Sequence, residues 1–419
     1  MKKYFIIAAA VVAMAACSQD QIVDNGPGAK VTFQAANYVR ATKAGEVSVF
    51  NDFKTFQCRA FLHAEGVDLL DAAHSYAVNG TTYQEFFGEA GETISPYNSS
   101  NTVIANPTTA TDNVSYWAPS HEYYWPKSTH SFVNFVGWYG TDGSAAVDPD
   151  IDYTYDSEAS KWTASMTWDW DVTAVGEAGA NFLYADMAWR YNDNPAAAYH
   201  LNGLASGYNK GVPMLFHHAL AQISVKAYAA AATAASGEPA NATLSAGTGA
   251  NAGKITDGNA IWTIQLTDVE INPIYTAGTL ALTNADPGST TAQAWTGDWS
   301  GTGTAGALSA SDFNLVQVTK DDATDVIAAT CVLPQTLGAT VMLNFKLDIT
   351  TEYASGSNEP ENHEIIPFSI KLNDMGTTSW AKNTKYTYYL QINPSQKRVR
   401  FDPALEADWS TGSTTDVAR

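Results

Sequence analysis

WAKNTKYTYYLQI, residues 380–392, reads as a turn followed by a strand. Tyr386, Tyr388, Leu390 and Ile392 fall on one face, and the residues between them on the other. A period of two belongs to a half-buried strand, because successive strand side chains leave on opposite faces. The same alternation recurs outward from this stretch. It runs through Trp262, Ile264 and Leu266, through Met166, Trp168 and Trp170, and through Phe56, Cys58, Ala60 and Leu62. Further strand-like runs lie at 47–63, at both ends of 114–139 with a turn at Pro126–Thr129 between them, and at 212–225, 279–282, 328–333, 341–349 and 365–372. Beyond the first 16 residues, no stretch longer than ten residues has helical periodicity. The pattern predicts an all-β protein of tandem β-sandwich domains. A polar linker at 192–210 suggests an N-terminal sandwich over 30–208 and a C-terminal one over 209–419. Ala-, Gly-, Ser- and Thr-rich segments at 227–258 and 284–311 read as long loops.

Composition agrees with this reading and narrows the function. The chain has 419 residues, 45% of them hydrophobic, enough for a large core. Aromatic residues are 12%, a bias that suits sheets. The formal charge is -21, so the surface repels nucleic acid and anionic lipid, and both are excluded as direct partners. The aromatic residues of 114–139 could form a sugar-binding box. Cross-strand aromatic pairs in a core explain them without a ligand, and that reading is preferred. His217 and His218 are adjacent, so on a strand they point apart and chelate poorly. No cysteine spacing fits a metal, and no cofactor is implied. Cys58 and Cys331 read as buried free thiols. The chain shows no Ser-His-Asp signature, phosphate loop or zinc motif, and a non-enzymatic role is expected.

The N-terminus carries its own instructions. Lys2 and Lys3 precede a short apolar run, then Ala15 and Ala16 lead into Cys17. Positive charge, apolar segment and small residues make a secretory signal peptide over 1–16. That apolar run falls short of the about 20 residues a spanning helix needs. Cys17 sits at the cleavage position, as in a lipobox, and would carry the acyl chains. Residues 17–29 read as a lipidated tether. Val31, Phe33 and Ala35 then alternate with Thr32 and Gln34 as a strand within 30–37, and Arg40 and Ala41 follow in a polar stretch. At the other end, over 397–410, Val399 and Phe401 alternate with Arg398 and Arg400. Leu405, Ala407 and Trp409 alternate with Glu406 and Asp408, and Pro403 separates the two halves.

These motifs together resemble a known family. In order they are the lipobox, Arg40-Ala41, Tyr124-Trp125-Pro126 and the Phe216–Ala221 run. Leu333-Pro334-Gln335, the Trp380 and Tyr386–Tyr388 stretch, and Asp408-Trp409 complete them. They are similar to the fimbrillins, of the major- and minor-fimbria-like kind. The resemblance implies transthyretin-like sandwiches and export as a lipoprotein to the outer membrane and cell surface. It implies that an arginine-specific protease cuts between Arg40 and Ala41. The strand bearing Val31, Phe33 and Ala35 would then be removed, and pilus subunits would join by strand exchange. The C-terminal segment, with Val399, Phe401, Leu405, Ala407 and Trp409, is the candidate donor. It is equally readable as the last strand of its own domain. A non-polymerising, lipid-anchored adhesin that binds a glycan or a host or bacterial surface ligand is the alternative function.

Overall fold

The computed structural model of the chain describes residues 30–37, 48–49, 55–64, 84–87, 90–104, 114, 116–124, 131–141, 146–156, 161–171, 181–191, 211–230, 244–284, 295–301 and 305–408. Among them the regular structure is almost entirely β. Apart from short pieces, the strands in chain order begin with β1 (Phe33–Asn37), β2 (Phe56–Ala64), β3 (Glu92–Tyr97), β4 (Tyr116–Pro119) and β5 (Ser131–Thr141). Then come β6 (Asp150–Asp156), β7 (Lys161–Asp171), β8 (Asn181–Ala185), β9 (Ala188–Tyr191), β10 (Val212–His218) and β11 (Ala221–Ala229). The rest are β12 (Ala260–Tyr275), β13 (Ala277–Asn284), β14 (Thr296–Gly301), β15 (Thr324–Val332), β16 (Met342–Tyr353), β17 (Asn362–Lys371), β18 (Thr384–Asn393) and β19 (Arg398–Asp408). The all-β reading holds.

The first sheet is a ring. β5, β8, β10, β1, β4, β3 and β2 pair in that order, and β2 meets β5 again from Gln57 opposite Trp138 to Ala64 opposite Ser131. Alternation decides which side chains fill it. In β2, Ala60 and Leu62 point into the ring, while Phe61 points out and stacks on Tyr153 at 4.5 Å. A second sheet, ordered β14-β13-β7-β6, packs on that outer face. Met166, Trp168 and Trp170 of β7 form the contact, with Trp168 stacked on Phe182 at 4.9 Å. Of the aromatic residues described around 114–139, Trp117, Phe135 and Trp138 are buried in the core, while Tyr116 and Tyr124 are only partly buried and their hydroxyls donate to Asn101 and Glu122.

The C-terminal half is a sandwich. One sheet runs β15-β11-β18-β19, and the other is built on β12, β16 and β17. Ile223, Tyr388 and Leu390 from the first meet Leu266, Phe345 and Leu347 from the second in one core. Tyr386, Tyr388, Leu390 and Ile392 are all buried, as their alternation requires. Their polar atoms are satisfied locally. The Tyr388 hydroxyl accepts from Trp380 Nε1 at 2.8 Å, and that of Tyr386 accepts from the Ala381 N–H at 2.9 Å. Burying tyrosines here therefore leaves these hydroxyls hydrogen-bonded.

Three segments depart from the sequence pattern, the first being 227–258, which holds the end of β11 and the short strands Ser245–Ala246 and Ile255–Asp257. Residues 212–225 read as one apolar block opening the C-terminal half. The block is two strands with a turn at Ala219-Leu220, and β10 belongs to the ring. The segment 284–311 contains β14 and the strand Ala305–Ser309. β13 pairs with β7 of the N-terminal half and β14 pairs with β13, joining the halves by a continuous ladder. β14 is exposed along most of its length, so it has no alternating apolar signature to read.

The two histidines lie where the halves meet. His217 reaches Asp186 at 2.9 Å and stacks on Tyr184. The His218 backbone N–H donates to Asn383 Oδ1 at 3.0 Å, across the junction. The His218 ring is fully buried, and burial, then Lys385, then His217, hold its pKa well below the usual value. The unfolded chain takes up this proton near the ordinary histidine value of about 6.5, and the folded chain does not. Stability is therefore lost as the pH falls from that value through the folded pKa. Urea midpoints should drop between pH 8 and pH 5, and His218→Gln should flatten the drop. An unchanged slope in the variant would contradict the assignment. Cys58, inside the ring, and Cys331, in β15, are both free thiols.

Candidate strand-exchange site

β1 is a stave of the ring. It runs parallel to β10, with Phe33 opposite Val212 and Ala35 opposite Met214. It runs antiparallel to β4, with Phe33 opposite Trp117. Val31, Phe33 and Ala35 point inward and are 2%, 0% and 8% exposed. The Phe33 ring meets those of Phe135 at 5.4 Å, Phe56 at 5.9 Å and Phe87 at 6.3 Å. Edge-to-face rings at such spacing add to the burial energy.

The backbone of the stave is held on both sides. The Val31 N–H donates to the Tyr123 carbonyl at 2.8 Å, and the Thr32 carbonyl accepts from the Val212 N–H at 2.6 Å. Gly211 makes the second approach possible. A Cβ there would lie 2.9 Å from the Thr32 carbonyl oxygen, closer than atoms pack. At the mouth of the groove, Lys30 pairs with the Glu122 carboxylate and bridges to Tyr124. Lys30, then Tyr124, draw the Glu122 pKa down.

The C-terminal segment sits elsewhere. β19 is the edge strand of its sheet and pairs with β18, Val399 opposite Ile392 and Phe401 opposite Leu390. Val399 and Phe401 are only partly buried against the sandwich core, and Arg398 and Arg400 are exposed. The ladder shifts register between Thr387 and Tyr389, opposite the stretch that holds Pro403. A proline tolerated at such a bulge does not end the strand, so the two apolar halves form one continuous element. Leu405 and Ala407 hold backbone positions in β19. Cys17, Arg40, Ala41 and Trp409 lie outside the described residues.

A family model described as fimbrillin-like matches residues 88–409. The chain belongs to the fimbrillin-like family. Among solved structures, the fimbrillin-like chain is similar to a fimbrial protein from Bacteroides vulgatus. The identity is 14%, the TM-score is 0.42, and 91% of this chain and 99% of that one are covered. It is also similar to the fimbrial anchor protein Mfa2 from Porphyromonas gingivalis, at 8% identity and a TM-score of 0.25, covering 91% of this chain and 97% of that one. No curated protein matches it.

The sequence pattern found the inward residues of β1 but not their surroundings. Phe87 and Gly211 lie in stretches without alternation. The pairing of Lys30 with Glu122 spans 92 positions, and no local pattern points to it.

Proposed function

We propose that this fimbrillin-like chain is a pilus subunit, exported as a lipoprotein precursor and assembled by strand exchange. Cys17 carries the acyl chains that hold the precursor on the outer membrane. An arginine-specific protease cuts between Arg40 and Ala41 and frees β1. The observation that supports this reading is the place of β1. A strand from the first 40 residues fills one complete stave of a closed ring, with inward side chains almost fully buried. Its loss uncovers two sheet edges and a lined groove, and an extended segment of a neighbour meets both needs. The donor is β19 of the next subunit. It is an edge strand, so it can leave its own sheet without another strand being displaced.

A second reading rests on the ladder between β19 and β18. With β19 kept at home, the chain is a lipid-anchored adhesin that does not polymerise. Filament formation by the intact, protease-matured chain separates the two, and truncation after Gln396 then tests the donor. The truncated chain should fold, accept the protease cut and fail to form filaments under electron microscopy. Normal filaments from it would remove β19 as donor.

A further inference from the structure

The two strands of the exchange carry the same short pattern. β1 is entered through Lys30, Val31, Thr32 and Phe33, and β19 opens with Arg398, Val399, Arg400 and Phe401. Each is a basic residue, a valine, a polar residue and a phenylalanine, in the same chain direction. In the ring, the basic residue pairs with Glu122, and the valine and phenylalanine are buried. We infer that β19 enters the neighbour's ring in the register that places Arg398 on Glu122, Val399 in the Val31 seat and Phe401 in the Phe33 seat. This rests on the strand-exchange reading and adds the register and the recognition pair.

Three observations carry it. First, exposure favours the move. Val399 and Phe401 are half-buried in their own sheet, while the seats they would take bury Val31 and Phe33 to 2% and 0% exposure. Second, the charge matches. Once Lys30 has gone with the cleaved strand, Glu122 is left at the groove mouth without its cation. Arg398 brings a guanidinium to that point, suited to a carboxylate. Third, the proline fits. In this register Pro403 falls at the Ala35 position. Val31 directs its N–H to Tyr123, on the β4 side, and Thr32 directs its carbonyl to Val212, on the β10 side. Alternation sends the Ala35 N–H to the β4 side as well, where β4 pairs at Phe33 and the short strand Ser48–Val49 pairs at Ala36 and Asn37, so a proline costs at most a bond to that short strand. A proline there, which has no N–H, forfeits no bond to β10. A shift by two residues would instead put Pro403 in the Phe33 seat, where a pyrrolidine cannot fill the space of a phenyl ring.

The pairing of Lys30 with Tyr124 supplies the test, because directly opposed residues on antiparallel segments can be bridged by a disulfide. The full chain is made with Cys331→Ser, Tyr124→Cys and Arg398→Cys, matured with an arginine-specific protease, and oxidised after assembly. A second chain carries Arg400→Cys in place of Arg398→Cys. The inference predicts, for the first chain, a ladder of linked subunits without reductant and monomers once a thiol reductant has cleaved the disulfides, and monomers under both conditions for the second. Filaments cross-linked through position 400, or through neither position, overturn the register and leave strand exchange standing. If neither chain forms filaments while the Cys331→Ser parent does, a charge reversal decides. Glu122→Lys should slow assembly about two- to fivefold, the range of an exposed ion pair, and Arg398→Glu in the same chain should restore it. Failure of the second change to restore the rate overturns the pair. If the parent itself forms no filament, the strand-exchange reading falls.

Discussion

An Arg40→Ala chain is expected to reach the cell surface, fold and remain an acylated monomer. Treated with an arginine-specific protease, it should yield no filaments, while the parent chain does. The reason lies in the ring. While β1 stays attached, Val31, Phe33 and Ala35 occupy the seats that an incoming strand needs, and both neighbouring edges are paired. The variant blocks the cut without touching a residue of the ring. Arg59 is the next arginine in the chain, but it lies within β2, paired on one side with β5 and on the other with β3 and the short strand Gln84–Glu85. Its Nη1 donates to the Ile151 carbonyl at 3.0 Å, so it is a poor substitute for a protease that needs extended, accessible chain. Filament yield by electron microscopy, with subunit mass, reads the outcome. Undiminished filaments from Arg40→Ala would show that this cut does not open the groove.

The second large effect separates precursor from filament. Phe33→Ala removes a fully buried ring that meets three other phenyl rings, and should cost the precursor about 3–5 kcal/mol of stability. The same substitution should leave the assembled filament unchanged, because a subunit matured after Arg40 no longer contains residue 33. Urea unfolding of the precursor and of sheared filaments, for parent and variant, gives the comparison. A change that destabilises both equally would mean that β1 remains in the filament. A change that affects neither would mean that Phe33 contributes little to the ring.

Periodicity found what periodicity can find. Tyr386, Tyr388, Leu390 and Ile392 alternate against a core, and each is buried where the pattern put it. Met166, Trp168 and Trp170 behave likewise. β14 was hidden because its side chains are mostly solvent-facing, and a strand held mainly by backbone bonds leaves no hydrophobic trace. The partner of a strand is hidden for a different reason. The apolar run at Val212–His218 gives a strand-like stretch, but not that its neighbours are β8 and β1. The seat of Phe33 is made from β2, β5 and the loop at Phe87, elements far apart in the chain. Only the closed ring brings them together. The likeness between the Lys30–Phe33 and Arg398–Phe401 stretches is visible in the sequence, and gains meaning once Glu122 is seen at the first of them.

The central claim is that β1 fills the ring in the precursor and is absent from the working subunit. Filaments sheared from the cell surface, checked by electron microscopy, can be dissociated for intact mass and N-terminal sequencing. The account predicts a subunit that begins at Ala41 and contains no acylated Cys17. Filament subunits that still carry residues 30–37, joined to the chain, would contradict it.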